Sequence, residues 1–355
     1  MKDELSYKNV EIFTGIDVHK NSWELKSVSN FVSLKRVHMR QPSAQKVEKY
    51  LTTTYPGAKH TCVYEAGFSG FWLQEQLSQL GIETLIVHPA DVPTTDKEKR
   101  TKTDQIDCHK LAMSLRSGQI RGIHIPDKDQ QQIRSLVRQR YQYATDERRM
   151  KNRIKAHLAF YGIELDELAE NTYWSRNYIN RLQTKAEQLG DQTLLLHLDK
   201  LSMERKLVLK STQMLRHVSR TEAYQKDVAL LRSIPGVGLL TAMVFLTEIG
   251  QDMSQFKKDD HYISYIGFVP NISASGDKAY YGKLTKRGNK RLRTALILSA
   301  WTAIRTSGLL LQKYEQYKSQ GKPSNKAIIK VARKLALMMK AIIRDQTPYQ
   351  EKTGQ

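Results

Sequence analysis

Ile12-Phe13-Thr14-Gly15-Ile16-Asp17-Val18-His19-Lys20 decides the fold. An apolar run ends on an acid, and a polar turn follows it. Such a run predicts a strand over Glu11–Asp17, with the Asp17 carboxylate at the edge of a sheet. Beyond the turn at His19-Lys20-Asn21, Trp23–Ser29 and Phe31–Met39 predict two more strands. Ser43 can cap a helix over Ala44–Thr54. Thr61–Glu65 and Glu83–Val87 are buried-strand runs, and the helix between them, Phe71–Leu80, stops at Gly81 as helices commonly do. Three strands followed by β-α-β-α-β predict a mixed sheet with helices packed on it. A polar, Pro-containing loop over 88–102 then leads to a helix opened by Asp104.

The character changes after this segment. We expect an N-terminal α/β domain over 1–126, a helical coiled-coil arm over 127–220 and a mainly helical domain over 221–355. The arm shows long helical periodicity over Gln130–Phe160 and Trp174–Val218, with Ile133, Leu136, Val137, Tyr141, Ile154 and Leu158 as one apolar seam. Its basic residues, Arg138 and Arg149 among them, suit nucleic acid, although a solvated outer face would look the same. In the last third, Ile234-Pro235-Gly236-Val237-Gly238-Leu239 resembles a helix-hairpin-helix turn, whose backbone N–H groups suit a phosphate. A Ser-, Gly- and Asn-rich segment over 265–278 predicts a loop, and Leu292–Thr306 and Lys326–Ile343 predict helices.

Charge points to the substrate class. The 355 residues carry a net charge of +21. From Asn271 to Asp345 there are 17 Lys and Arg against 3 acids, so that stretch alone supplies +14. A polyanion partner is the natural expectation. Two cysteines, Cys62 and Cys108, provide neither a disulfide framework nor zinc spacing. No run is long and apolar enough for a membrane span, so we expect a cytoplasmic protein without a membrane partner.

Four carboxylates carry the candidate chemistry: Asp17, Glu65, Asp104 and Asp107. The first two end strands, and the last two lie three apart on one helix face. Mg²⁺, with Mn²⁺ as an alternative, takes oxygen ligands and binds phosphate-bearing substrates through a few carboxylates. Two such ions can clamp the attacking and leaving oxygens of a phosphoryl displacement. The same acids could also be separate caps and surface ion pairs, and residue chemistry leaves both readings open. Ser275, before Gly276, is a candidate nucleophile because Lys278, Lys283, Lys286 and Arg287 could hold a phosphate beside it. Arg291 and Arg293 extend that basic segment.

Gly15-Ile16-Asp17-Val18-His19-Lys20, Tyr64-Glu65-Ala66 and Lys102-Thr103-Asp104-Gln105-Ile106-Asp107 together resemble the acidic motifs of the DEDD transposases of the 110/1111 group of bacterial insertion sequences. Gly267-Phe268-Val269-Pro270, Ser275-Gly276 and Gly282-Lys283-Leu284-Thr285-Lys286-Arg287-Gly288-Asn289-Lys290-Arg291-Leu292-Arg293 resemble the same family's C-terminal domain. The resemblance implies a RuvC-like, RNase H-like N-terminal fold. It implies Asp17, Glu65, Asp104 and Asp107 as Mg²⁺ ligands and Ser275 as the nucleophile of a serine recombinase related to the Piv-like invertases. It also implies target and donor DNA as substrates, a structured non-coding guide RNA, a homo-oligomer (dimer or tetramer), and a place in the bacterial nucleoid. Ala274 departs mildly from the family pattern, which often has a second serine there. The alternative activity is a RuvC-like, structure-specific endonuclease that uses water instead of Ser275.

Overall fold

The computed structural model describes residues 7–94, 104–163, 174–275, 278–285 and 287–351; the side chains of 104, 105, 272–275 and 278–281 lie outside this description. The chain forms two compact units, Met1–Ile125 and Pro126–Gln355.

The first unit is built on strands β1 (Glu11–Val18), β2 (Ser22–Ser29), β3 (Ser33–Arg40), β4 (Lys59–Glu65) and β5 (Glu83–Val87). Their order in the sheet is β3-β2-β1-β4-β5. The first three are antiparallel, whereas β4 and β5 run parallel to β1. Parallel neighbours need a crossover, and helices α1 (Ala44–Thr54) and α2 (Trp72–Gln79) supply it. Ser43 caps α1 through Lys46 N, as its sequence predicts. Gly81 adopts φ +81° after α2, a conformation that costs glycine little. Of the loop expected over 88–102, residues 88–94 are described and begin with a short 3₁₀ turn, Pro89–Asp91.

The sheet has two covered faces. Ile12, Ile16, Trp23, Leu25, Cys62, Tyr64 and Ile86 pack with α1 and α2. Helix α3 (Asp104–Arg116) lies on the opposite face, where Leu111 meets Val63 and Val87.

Among the described residues, the second unit is helical apart from one hairpin. Helices α4 (Lys128–Phe160), α5 (Arg176–Leu189) and α6 (Gln192–Val218) form its first part. The single periodic stretch expected over 174–218 is thus two helices, broken where Gly190 takes φ +64°. The expected single seam is also two. Met150, Ile154 and Leu158 pack with Tyr178, Leu182, Leu194, Leu198 and Leu201. Val137, with Ile133, Leu136 and Tyr141 against it, belongs to the core of the C-terminal helices. A 33-residue helix spans about 50 Å, which is long enough to serve two cores. Those C-terminal helices are α7 (Glu222–Arg232), α8 (Leu239–Glu248), α9 (Asp259–Ile266), α10 (Lys290–Thr306), α11 (Gly308–Ser319) and α12 (Ser324–Asp345). Among the described residues no single helix is long and apolar enough to cross a membrane.

Between α9 and α10 the loop expected over 265–278 contains two strands instead. Strand β6 (Pro270–Ser275) pairs antiparallel with β7 (Lys278–Leu284), with Ile272 opposite Tyr281 and Ser275 opposite Lys278. The Ser-Gly-Asp-Lys composition suggested irregular chain, but the flanking Ile and Tyr residues favour strands.

Candidate active site

One glycine organises the acidic end of the sheet. A Cβ at Gly15 would sit 2.1 Å from the carbonyl oxygen of Cys108 and 2.7 Å from the amide of Ala112. Helix α3 therefore rests directly on the β1 backbone. Gly15 and Asp17 share a face, because side chains alternate along a strand. That face is the α3 face, since Ile12 and Ile16 point the other way.

The same alternation fixes the neighbours. Glu24 is the register partner of Asp17, and it lies between Trp23 and Leu25, both of which face α1 and α2. The parallel register of β1 and β4 ends at Ile16↔Tyr64, so Asp17 and Glu65 are the next residues of their strands. Val63 faces α3, and so does Glu65 two residues on. Three carboxylates thus form a row across three adjacent strands: Glu24 on β2, Asp17 on β1 and Glu65 on β4. Strands lie about 4.8 Å apart, so this is a dense line of negative charge. Asp107 precedes Cys108 on α3, one residue from the point where the helix touches Gly15. Asp104 opens the same helix, and its side chain lies outside the described residues.

The electrostatics agree with this layout. Burial pushes the Cys108 thiol up to about 11, and the charges of Glu24 and Asp17 push it the same way. Basic groups answer the acids one by one. His19 Nε2 is 3.2 Å from Asp17. Lys110 Nζ is 3.2 Å from Asp107. His38 Nδ1 is 2.5 Å from Glu24 Oε1, and Arg36 Nε is 3.9 Å from Glu24 Oε2, which is buried and accepts no hydrogen bond. Among the described residues no three His, Cys, Asp or Glu side chains converge closely enough to hold a metal ion.

Ser275 belongs to the other unit, at the end of β6 opposite Lys278, and its side chain is outside the described set. The neck of its hairpin is closely built. A Cβ on Gly288 would lie 2.7 Å from the Gly267 backbone, and one on Gly267 would lie 2.6 Å from the Arg287 carbonyl. Asn289 accepts from Leu292 N through Oδ1 and so caps α10, while its own amide donates to the Tyr265 carbonyl at 2.8 Å.

The predicted nucleic-acid residues separate into groups. Lys283, Arg287 and Arg291 are exposed along β7 and the start of α10. Lys286 lies outside the described residues, as does the Lys278 side chain. Arg293 reaches towards both ends of the hairpin, the carbonyls of Gly267 and Arg287, at 3.4 Å each. Arg149 is exposed and pairs with Asp146 one turn away. Arg138 is half-exposed and gives Nε and Nη2 to the two oxygens of the buried Glu248 at 2.8 and 2.7 Å.

Two participants in this geometry escaped the sequence reading. Glu24 was countable: a hairpin that turns at residues 19–21 and pairs Val18 with Trp23 must pair Asp17 with Glu24. Glu248 ends the otherwise uncharged helix Leu239–Glu248, and an acid closing so apolar a run is a sign of a buried ion pair.

A row of acids on a mixed sheet, followed by a basic helical unit, defines a class that comparison with known proteins identifies as DNA transposases. A family model for IS110-type DEDD transposases, described as "Transposase", matches residues 14–163, and one described as "Transposase IS116/IS110/IS902 family" matches residues 228–316. The chain is 25% identical to the transposase for insertion sequence element IS1111A of Coxiella burnetii, over 98% of this chain and 93% of that protein. It is 28% identical to the putative transposase y4qE of Sinorhizobium fredii, over 79% of this chain and 75% of that protein. It is also 30% identical to the pilin gene-inverting protein of Moraxella bovis, over 38% of this chain and 42% of that one. The chain belongs to the IS110/IS1111 family of insertion-sequence transposases.

Membership implies a divalent metal cofactor. The donors on the α3 face suit one chemically: all are carboxylates, and Glu24 keeps a buried oxygen without a hydrogen-bond donor.

Proposed function

We propose that this transposase cuts and rejoins DNA through a covalent Ser275–DNA intermediate, with Asp17, Glu65, Asp104 and Asp107 as ligands of Mg²⁺ and a structured non-coding RNA selecting target and donor DNA. The observation that carries this is the row of carboxylates facing α3, at the end of a sheet whose strand order resembles the RNase H-like fold. A divalent cation bound there would offset the mutual repulsion of the row and stabilise charge developing on a phosphate.

The serine supplies the covalent step. Its Oγ attacks the scissile phosphorus; the new O–P bond forms as the bond to the leaving sugar oxygen breaks, and a proton lost by serine is matched by one gained by that oxygen. Rejoining is the reverse attack by a sugar hydroxyl. The number of phosphodiester bonds is conserved, so no nucleotide triphosphate is needed. Exposed Lys283, Arg287 and Arg291 would hold the backbone, while base pairing with the RNA would carry sequence choice. The turn over 234–239 is read as a helix-hairpin-helix contact to a phosphate.

A helical arm over 127–220 between two flanking domains would bear on assembly. On α6, exposed Leu196, Met203, Leu207 and Met214 recur at spacings of 7, 4 and 7, the pattern of a coiled-coil seam. A dimer or tetramer closed by that seam would let one protomer present its serine to another's acids. Mixing Ser275→Ala protein with Asp17→Ala protein tests this: recovered activity supports composite sites, and a mixture that stays inactive removes them. Sequencing RNA that co-purifies with the chain tests the guide; recovery of no element-derived RNA would remove it.

A further inference from the structure

The hairpin that carries Ser275 leaves the helical unit through a closely built neck, and the neck is tied to one buried carboxylate. Glu248, at the end of α8, has a side chain only 1% exposed. Its Oε2 accepts from Asn289 Nδ2 at 2.8 Å, and Asn289 is the residue that leaves the neck and caps α10. The same carboxylate takes both donors of the Arg138 fork on α4. Tyr265, on the other side of the neck, donates its hydroxyl to the Glu248 carbonyl at 2.8 Å. Arg134 Nη2 reaches that carbonyl too, at 3.2 Å, and its Nε reaches Thr247 O at 2.8 Å. Burial works against ionisation of Glu248, but the hydrogen bonds and charge of Arg138, with Asn289 and Arg134, prevail and hold its carboxyl below the ordinary range.

We infer that Glu248 is a positioning residue for the strand-transfer reaction: it locks the neck of the Ser275 hairpin to helix α4, so that the orientation of the arm sets where the serine is presented. This rests on Ser275 being the nucleophile. The geometry around it has the features of a fixed joint. The Gly267–Gly288 contact admits no side chain, and a bidentate Arg–carboxylate pair fixes angle as well as distance. Tyr265 and Asn289 grip the two sides of the neck, so the hairpin cannot rotate as a body without breaking a bond to Glu248 or to its backbone.

The test uses the full-length protein with its co-purified RNA and a plasmid carrying the element and its own flanks. Glu248→Gln alone leaves Arg138 unanswered, so it is paired with the charge-balanced double variant Glu248→Gln/Arg138→Gln. In the double variant the amides of Thr285 and Asn289, which bond across the neck to Val269 and Tyr265, should exchange with solvent about 10-fold faster. DNA binding should weaken by no more than about 3-fold, since Lys283, Arg287 and Arg291 are untouched and the half-exposed Arg138 guanidinium is already engaged by Glu248. Formation of the protein–DNA adduct should slow by about 100-fold, the scale of an ångström-sized misplacement. An adduct rate equal to wild type with the neck loosened, or a neck as protected as in wild type, overturns the inference. An adduct that persists in Ser275→Ala refutes the nucleophile, and the positioning role with it, while exchange at the neck still reports whether Glu248 holds the joint.

Discussion

The acidic edge and the serine hairpin are held in opposite ways. The carboxylate row is placed by backbone: strand register, alternation of faces and the single missing side chain at Gly15 bring Glu24, Asp17, Glu65 and α3 together. The acids are then answered by individual side chains, such as the exposed His19 and the part-buried Lys110. The serine hairpin is a two-stranded element, and isolated hairpins are marginal. Its order comes from side chains at the neck, above all a buried ion pair. A substitution of an acid at the sheet edge should therefore remove chemistry and leave the fold, whereas one at the neck should disturb both.

The comparison breaks most visibly at Asp17. Asp17→Ala should lower strand cleavage by about 1000-fold, roughly 4 kcal/mol of transition-state stabilisation, with the melting temperature unchanged. A large drop in melting temperature would make the acid structural. At the neck, Glu248→Ala leaves Arg138 and Asn289 without their acceptor and should cost about 3–5 kcal/mol of stability in denaturant unfolding. Because the Glu248 pKa is depressed in the fold, its contribution is complete above the ordinary carboxylate value of 4.5 and disappears as pH falls through the lowered one. The wild-type second unit should lose that stability in acid below that value, and a Glu248→Gln variant should lack that part of the acid response.

Gly15→Ala joins the two kinds of control. It forces a methyl group into the α3 backbone and should destabilise the first unit by about 3 kcal/mol, measured by unfolding of that unit. Glu24→Gln is gentler. If Glu24 supports the metal site, Mn²⁺ affinity followed by electron paramagnetic resonance should fall by about 10-fold. Unchanged affinity would confine Glu24 to its pairing with His38 and Arg36. Smallest is Lys283→Ala, which should reduce the salt-dependence slope of DNA binding by about 1 and leave the neck protected from exchange.

Much of this was legible beforehand. The strands of the first unit, the cap at Ser43 and the stop at Gly81 follow from periodicity and local chemistry. The mixed character of the sheet followed from the order of elements. What escaped depends on long-range placement. Nothing local to Gly15 says that a helix will lie on it, and the role of Glu24 appears only once the hairpin register is counted. The hairpin at 270–284 was hidden because Ser, Gly and Asn signal turns more strongly than Ile272, Tyr280 and Tyr281 signal strands. Arg138 read as one member of a basic face, and only the fold, by burying Glu248 opposite it, ties its guanidinium to a carboxylate. The seam on α4 looked continuous because periodicity records which face is apolar and not which partner covers each part.

In the proposed reaction the acids and the serine act together in one strand transfer. Its most direct test is to incubate wild-type protein with end-labelled DNA of the element and Mg²⁺, denature in detergent, and map any DNA-linked peptide by mass spectrometry. The account predicts a phosphodiester link on Ser275, absent from both Ser275→Ala and Asp17→Ala. Cleavage undiminished in Ser275→Ala, with no linked peptide in wild type, would contradict it and leave the acidic edge acting alone with water.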